Sequence, residues 1–371
     1  MNNKMLSILF ASGNESKLNE LTIHRTTASL PFGGRYRLID FTLSNLVNSG
    51  VTRIGIITRS NYSSLMDHIR MGRDWDLNRK NSGIAVFPPF VLNTSRDVYK
   101  GKIEAIYTIT DFINKSPEDY VIVANCNIAA NIDFNAVLEN HIESGADITM
   151  LCHSGLLTSS RRVVISKNDK NRVTDIFFVE STSQNERLLS LNAYVMKKDK
   201  LVVYVENAYA RGHVDFEKDI LFAEAALGAV NVYEVPGYAS IIDDVKMYYT
   251  ESMKLLNYDT REQLFGADKK IYTKVKDSIP TKYGKSSFVK NSLIADGCTI
   301  DGTVENSILF RNVRIKEGAV VRDSIIMEDG EIMEDSTLSY AITDKSVTIK
   351  ENRQISGFST YPIVIVKNKV V

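Results

Sequence analysis

The sequence predicts an α/β domain with a mainly parallel sheet, followed by a C-terminal parallel β-helix built from hexapeptide repeats. Two observations lead to this prediction. Apolar runs alternate with helical patterns through the first part of the chain, and apolar residues recur every six positions near its end. Strands that alternate with helices at this spacing are typical of parallel sheets. A period of six differs from the three or four of an amphipathic helix and indicates flat, repeated faces.

The predicted sheet is assembled from buried strands that helices separate. Strand-like apolar runs lie at residues 5–11, 53–58, 119–125 and 147–153. Helical patterns lie at 38–50, 63–72, 101–114 and 134–145, and the first two end in glycine, a natural C-terminal cap. Shorter strands and two more helices continue the domain to about residue 255. Because ligands of such sheets bind at the carboxyl ends of the strands, we expect the loops after residues 11, 58 and 125 to converge.

The end of the chain carries the six-residue period. Apolar residues, with one threonine among them, form three groups, each starting 17 residues after the last: Leu309, Ile315 and Val321; Ile326, Ile332 and Leu338; Thr343, Ile349 and Ile355. One such residue per face and three faces per coil indicate a hexapeptide β-helix. We therefore predict an α/β domain over 1–258, a polar connector over 259–287 and a β-helix over 288–371. Because so few coils bury little apolar surface by themselves, the β-helix should pack on the first domain or on another subunit.

Composition limits the function classes. Apolar residues make up 44% of the 371 residues and charged residues 24%, and the formal net charge is zero. This balance is usual for a soluble globular protein and favours neither nucleic acid nor a membrane surface as partner. The three cysteines, Cys126, Cys152 and Cys298, are far apart and odd in number, which indicates free thiols in a reducing cytoplasm. The apolar run at the N-terminus is interpreted as a first strand and not as a signal peptide.

Four segments resemble the ADP-glucose pyrophosphorylases, also called glucose-1-phosphate adenylyltransferases. They are PFGGRYRLIDFTLSNLVNSGVTRIGIIT (31–58), FVE (178–180), LNAYVM (191–196) and GYxxxxDxxxMYY (237–249). The pattern is closest to the GlgD-type regulatory subunit of bacterial glycogen biosynthesis. The resemblance implies a Rossmann-like nucleotidyltransferase domain of the GT-A-like type, followed by a left-handed parallel β-helix.

The family's chemistry indicates which residues to look for. A sugar-1-phosphate oxygen attacks the α-phosphate of ATP, and pyrophosphate leaves. Catalysis depends on positioning and on neutralising charge with Mg²⁺ and basic side chains. Magnesium prefers carboxylate oxygens, and phosphates prefer glycine-rich backbone N–H groups and a cation.

The phosphate loop departs from the family's pattern. The family's G-G-x-G-[ST]-R appears as Ser12-Gly13-Asn14-Glu15-Ser16-Lys17. Glu15 puts negative charge where phosphate would lie, and Lys17 lacks the bidentate fork of arginine. In the family's R-A-K-P-A, here residues 25–29, the lysine is replaced by Thr27.

The metal and sugar-phosphate positions depart as well. The family's G-D-H-I-Y falls on residues 125–129, so a thiol at Cys126 replaces the carboxylate, and thiols are poor Mg²⁺ ligands. The lysine of F-V-E-K-P is replaced by Ser181, and the aspartate of Y-W-R-D-V-G by Ile241. One lost charge-stabilising contact costs about two to three powers of ten in rate. The sequence therefore predicts a weak or inactive catalyst that needs no cofactor, with Mg²⁺ only where a partner subunit is present. Asp243 or Asp244 remains an alternative for the missing aspartate.

Several residues stay candidates for binding. Arg35, Arg37, Arg53 and Arg59 could bind a phosphorylated or anionic effector, since arginine suits phosphate; alternatively, Arg35 and Arg37 pair with carboxylates such as Asp40. Tyr99 and Glu180 match family positions of the substrate pocket. The acidic run from His213 to Asp219 is interpreted as a helix start capped by Asp215, and not as a metal cluster.

The first hypothesis is a regulatory subunit that modulates a catalytic partner of the same fold in a hetero-oligomer, which the family's pattern implies to be a tetramer. Self-association into homo-oligomers is left open. The alternatives are an active nucleotidyltransferase with unusual residues, or a stand-alone sensor of sugar phosphates or nucleotides. An acyltransferase is disfavoured, because all five histidines precede the hexapeptide repeats.

Overall fold

The computed structural model describes residues 4–13, 15–59, 61–79, 82–89, 99–157, 161–181, 183, 185–266 and 269–371. The first domain contains thirteen strands within these ranges: Met5–Phe10 (β1), Pro31–Phe32 (β2), Tyr36–Arg37 (β3), Arg53–Ile57 (β4), Gly83–Phe87 (β5), Tyr120–Asn125 (β6), Ile128–Ala130 (β7), Ile148–Leu156 (β8), Arg162–Lys167 (β9), Val173–Val179 (β10), Glu186–Lys197 (β11), Val230–Glu234 (β12) and Ala239–Ile241 (β13).

Ten α-helices accompany these strands in the described part of the chain: Glu15–Leu18 (α1), Leu38–Asn48 (α2), Ser63–Ile69 (α3), Lys102–Tyr107 (α4), Thr110–Asn114 (α5), Phe134–Ser144 (α6), Lys198–Ala210 (α7), Phe222–Ala226 (α8), Val245–Lys254 (α9) and Tyr258–Phe265 (α10). A π-helical turn, Glu217–Leu221, leads directly into α8.

Nine of the strands form one twisted sheet in the order β10-β9-β11-β6-β1-β4-β5, and β8 joins β11 to β12. Strands β6, β1, β4 and β5 are parallel, whereas β11 and β9 run antiparallel to their neighbours. Apolar clusters cover both faces of the sheet. The predicted fold class is confirmed, and the parallel strands place the ends of β1, β4 and β6 side by side.

The helix predicted over 101–114 is interrupted after Tyr107. The hydroxyl of Thr108 donates to the carbonyl of Ala105 at 2.8 Å, and that of Thr110 donates to the carbonyl of Tyr107 at 2.9 Å. Threonine hydroxyls compete in this way with the helical hydrogen bonds of the backbone. Two short helices, α4 and α5, take the place of one.

The C-terminal domain is a left-handed parallel β-helix with three faces of five strands each. The first face contains Lys282–Tyr283, Thr299–Ile300, Arg314–Ile315, Glu331–Ile332 and Thr348–Ile349. The second contains Phe288–Lys290, Thr303–Glu305, Val320–Arg322, Thr337–Ser339 and Gln354–Ser356. The third contains Leu293–Ile294, Ile308–Leu309, Ile325–Ile326, Ala341–Thr343 and Ile363–Ile365.

The six-residue period places its residues inside the coils. Eight of the nine residues named for the period are buried, and Ile355 is partly buried. The segment predicted as a connector carries α10 at its start and the first β-helix strand at its end. The third face packs on the first domain through a shared apolar cluster that includes Phe32, Phe41, Phe310 and Met327.

Candidate functional site

A cavity of about 240 Å³ lies at the carboxyl ends of the parallel strands. Its walls include residues at or just after the ends of β1, β4 and β6: Phe10, Ser12, Ile57, Arg59, Asn125 and Asn127. The three loops therefore converge as the parallel order predicts. We call this space the strand-end cavity.

The loop after β1 donates a backbone hydrogen bond to the carboxylate of Glu15, two residues further along the chain. The N–H of Gly13 donates to Oε1 of Glu15 at 2.8 Å. The hydroxyl of Thr27 donates to the carbonyl of Gly13 at 2.7 Å and lies 3.3 Å from the same Glu15 oxygen. A backbone N–H that could donate to phosphate is thus already bound to a negative charge from the chain itself. The Ser12 hydroxyl also lies in this loop and accepts the N–H of Arg59 at 3.2 Å.

Lys17 and Glu180 form an ion pair beside this loop. Their Nζ and Oε1 atoms are 2.8 Å apart, and both side chains are exposed. The hydrogen bond and charge of Lys17 hold the pKa of Glu180 below its usual value. Neither residue lines the strand-end cavity, and Ser181 is exposed next to Glu180.

The two positions at which the resemblance predicts replaced metal aspartates lie in the core of the first domain. Cys126 and Ile241 are each 1% exposed and belong to the same apolar cluster. Burial raises the pKa of the Cys126 thiol far above its usual value, so the sulfur stays protonated and makes a poor ligand for a hard cation. Across the described ranges no three histidine, cysteine or acidic side chains come together as a metal site. These residues do not fit Mg²⁺.

The two aspartates that could replace the missing ligand are both engaged. Asp243 is 1% exposed; its Oδ2 lies 2.8 Å from Nη1 of Arg162, and its Oδ1 accepts from Nδ2 of Asn127 at 2.7 Å. Asp244 caps α9 by accepting the N–H of Met247 at 2.7 Å. A guanidinium that lines the cavity, that of Arg162, therefore already neutralises Asp243.

A partly buried ion pair on the cavity wall joins Lys102 to Glu217. Burial tends to raise the pKa of Glu217, but the ammonium of Lys102 holds it below its usual value. The hydroxyl of Tyr194 lies 3.3 Å from the same carboxylate. The sequence did not identify either partner as a site residue. The lysine within Gly101-Lys102-Ile103-Glu104-Ala105 was the available signal, but its partner is 115 residues away.

The rest of the acidic run serves the helix start, as predicted. Oδ1 of Asp215 accepts the N–H of Lys218, and Oδ2 of Asp219 accepts the N–H groups of Val214 and Asp215, all at 3.0 Å. Only Glu217 of this run turns into the cavity.

Arg59 and Tyr99 share the cavity wall with Arg161. Nη2 of Arg59 donates to the carbonyl of Tyr99 at 3.3 Å, and the Tyr99 hydroxyl donates to the carbonyl of Pro88 at 3.2 Å. The guanidinium carbon of Arg161 lies 3.7 Å from the centre of the Phe178 ring. Neither arginine forms an ion pair with a carboxylate among the residues that the structure describes, although the charge of Arg161 helps to lower the pKa of Glu180.

Arg35 and Arg37 lie elsewhere, in a pocket of about 170 Å³ between the two domains, which we call the interdomain pocket. Six cationic side chains from both domains and the connector line it: Arg35, Arg37, Lys274, Lys276, Arg311 and Lys345. Only Asp67 and Glu328 supply negative charge to its wall. The sequence identified two of these six cations, because the other four come from distant segments.

The charges of the interdomain pocket are partly paired. Burial alone would raise the pKa of Glu328, but Lys345 at 2.7 Å and Lys276 at 3.3 Å hold it at about 2. Arg37 donates from Nη1 to the carbonyl and hydroxyl of Ser64, at 2.7 and 3.0 Å. Arg35 is exposed and has no carboxylate partner within the described ranges. The pocket keeps an excess of positive charge.

The structure also shows which groups Asp40 and Arg53, two residues named in the sequence analysis, contact. Asp40 binds His68 at 2.6 Å and the backbone N–H of Arg37 at 3.0 Å, so it does not pair with either guanidinium. Arg53 begins β4, at the amino end of the sheet and away from both cavities, with its Nε 3.2 Å from Oε1 of Glu118. The four candidate arginines thus lie in three separate places.

Known proteins match both domains. The nucleotidyl transferase family matches residues 6–234, and the GlmU-like C-terminal hexapeptide family matches residues 277–359. The chain is 35% identical to glycogen biosynthesis protein GlgD of Bacillus subtilis over 369 residues, covering 100% of this chain and 97% of that protein. It is 38% identical to GlgD of Geobacillus stearothermophilus, over 86% and 84% of the two chains. Glucose-1-phosphate adenylyltransferase of Geobacillus stearothermophilus is 31% identical, over 87% and 84%.

None of the helices that the structure describes is long and apolar enough to cross a membrane.

The matches to known proteins cover both halves of the chain and nearly the full length of the Bacillus subtilis relative. The chain therefore belongs to the nucleotidyltransferase family, as a GlgD-like member related to the glucose-1-phosphate adenylyltransferases.

Proposed function

We propose that this chain is a catalytically weak or inactive regulatory subunit of glucose-1-phosphate adenylyltransferase in glycogen biosynthesis, acting in the cytoplasm. One observation supports this most strongly: the residues at the family's catalytic positions have taken structural roles. Cys126 and Ile241 pack in the core, and Glu15 binds the loop where phosphate would lie. Losing several charge-stabilising contacts together leaves little rate enhancement, even though such losses do not add fully.

The chain alone tests the catalytic half of this proposal. Purified protein is incubated with ATP, glucose 1-phosphate and Mg²⁺, and pyrophosphate release is followed with the Geobacillus stearothermophilus catalytic enzyme as reference. We expect a rate at least about a thousandfold below the reference, since even one lost contact of this kind costs about two to three powers of ten. A rate within tenfold of the reference would support an active nucleotidyltransferase with unusual residues instead.

The regulatory part of the proposal can be tested only with the catalytic partner subunit present. An inactive subunit changes the activity of a catalytic partner only through contacts that differ between the partner's conformational states. The two subunits must therefore assemble. We propose a hetero-oligomer, a tetramer, with a catalytic subunit of the same fold. Co-expression and light scattering measure assembly, and the activity of the mixture is compared with each part alone. An unchanged rate and unchanged effector response in the assembled mixture would contradict regulation.

We further propose that the interdomain pocket binds an anionic, phosphorylated effector. Its support is the excess of cations from both domains, with Arg35 exposed and unpaired by any described carboxylate. A ligand that touches both domains couples their relative position to effector concentration. Arg35→Gln should shift the effector response of the mixture without preventing assembly. Arg314→Gln, which breaks an exposed ion pair on the first face of the β-helix, is the matched control.

A further inference from the structure

The strand-end cavity has a fixed guanidinium at its floor. Arg162 lines the cavity, yet its side chain is only 6% exposed, and that of Asp243 is 2% exposed. Besides its contact with Asp243, Arg162 donates from Nη2 to the carbonyl of Ile241 at 3.0 Å. Asn127 occupies the other oxygen of Asp243. Both oxygens of the carboxylate thus already have a partner within the chain, and its positive partner is held in one orientation.

The charges of this cavity sum to an excess of two cations. Four basic side chains line it: Arg59, Lys102, Arg161 and Arg162. Glu217 neutralises Lys102, and Asp243 neutralises Arg162. No described carboxylate forms an ion pair with Arg59 or Arg161; Arg161 acts at longer range on Glu180, which is already paired with Lys17. A phosphate monoester carries about −1.5 to −2 charges at neutral pH, which matches this excess.

We propose that Arg162, fixed by Asp243, takes the place of a divalent cation in the strand-end cavity, so that a phosphate monoester binds there to Arg59 and Arg161 without Mg²⁺. The phosphate oxygens would accept from guanidinium forks, which suit their geometry. Ser12, Asn125 and Asn192 on the wall offer neutral polar groups to the hydroxyls of a polyol. This goes beyond the regulatory role proposed above, because it concerns binding by the chain alone.

Arginine differs from a metal ion in a way that experiment detects. Its charge is part of the chain, so a chelator cannot remove it. The first test is a calorimetric titration of the full chain with glucose 1-phosphate, in EDTA and then in excess Mg²⁺. We expect saturable binding with the same dissociation constant, within about threefold, in both buffers. Binding that requires Mg²⁺, or no binding in either buffer, would overturn the proposal.

Variants then locate the binding. Arg161→Gln removes an exposed cation whose guanidinium packs on the Phe178 ring and forms no ion pair with a described carboxylate, so the fold should persist. It should weaken binding by about tenfold or more in both buffers, as expected for a lost hydrogen bond to a charged group. Arg314→Gln, at an exposed ion pair on the first face of the β-helix, is the matched control and should leave this affinity unchanged. A loss of affinity in Arg35→Gln equal to that in Arg161→Gln would place the ligand in the interdomain pocket and refute the assignment.

Arg162→Ser tests the replacement itself. Without the guanidinium, the Asp243 carboxylate is free to accept a metal ion. We expect binding to be lost in EDTA and partly restored by Mg²⁺, which reverses the metal independence of the original chain. Equal binding in both buffers by folded Arg162→Ser would contradict the proposal. If this variant does not fold, the Mg²⁺ comparison and Arg161→Gln still decide the question.

Discussion

The guanidinium of Arg25, in the first domain, donates two hydrogen bonds to the carboxylate of Asp344, in the β-helix, at 2.7 and 2.9 Å. The two side chains are 3% and 2% exposed. Arg25 also donates to the carbonyl of Leu21 at 3.1 Å. Both hydrogen bonds come from Nη2 of Arg25, and this buried ion pair joins residues 319 positions apart and fixes the orientation of one domain on the other.

Replacing Arg25 by methionine should destabilise the protein strongly. The change leaves Asp344 buried without its cation, and breaking a buried pair in this way costs about 3–5 kcal/mol. Urea denaturation followed by circular dichroism measures the free energy of unfolding. The matched control is Arg314→Met, whose partner Glu331 lies on the surface of the β-helix and which should cost less than about 1 kcal/mol. Equal losses in the two variants would show that the pair does not stabilise the domain contact.

The three thiols should be unreactive in the native protein. Cys126, Cys152 and Cys298 are all buried, and burial raises the pKa of each, to about 11 for Cys298. Since the thiolate is the reactive form, Ellman's reagent at pH 8 should label none of them quickly, and all three after unfolding in guanidinium chloride. Rapid labelling of a native thiol would show that the core around that thiol opens to solvent.

Stability should fall in mild acid because of His153. Burial, and then the nearby charge of Arg162, lower its pKa from 6.5 to about 4. The unfolded chain therefore binds a proton between these values that the folded chain does not. This contribution is fully present above pH 6.5 and is lost as the pH falls towards 4. His153→Gln should flatten the dependence of the unfolding free energy on pH in this window, and an unchanged slope would contradict the assignment.

Removing the carboxylate of Glu15 should open the loop after β1 to anions. In Glu15→Gly the N–H of Gly13 loses its internal acceptor, and a negative charge leaves the site. We expect the affinity for inorganic phosphate to tighten severalfold, measured by calorimetry in EDTA. Glu15→Gln, which removes the charge but keeps an acceptor, should give a smaller gain. Equal or weaker binding in Glu15→Gly would contradict the view that this side chain fills the loop.

Local patterns were sufficient to predict much of the fold. The step of six from Leu309 to Ile315 and Val321 identified the coils, since each coil repeats the same contact with its neighbour. The strands around Ile8 and Ile56 were recognised because burial on both faces demands continuous apolar runs. The sequence also predicts replaced residues at Cys126 and Ile241, and the structure places both side chains in the core.

Pairings between distant segments could not be predicted. Arg162 begins β9 and Asp243 follows β13, strands of two different sheets, so only tertiary packing brings them together. The sequence offered Asp243 as a substitute metal ligand, but no local signal identified Arg162 as its partner. Glu217 lay in a run interpreted as a helix start, but the wider π turn re-aims its side chain towards Lys102. Likewise, the sequence around Arg35 does not indicate that Lys276 and Lys345 line the same pocket, because the packing of the two domains brings these residues together.

The shared cluster beneath the third face of the β-helix has a consequence for how the chain folds. Leu30 and Phe41 of one domain are covered by Ile325 and Phe310 of the other, so neither domain has a complete apolar interior by itself. Deleting the coils would bare this surface to water and invite aggregation. The two parts should therefore melt together in one cooperative transition, although they match two separate sequence families.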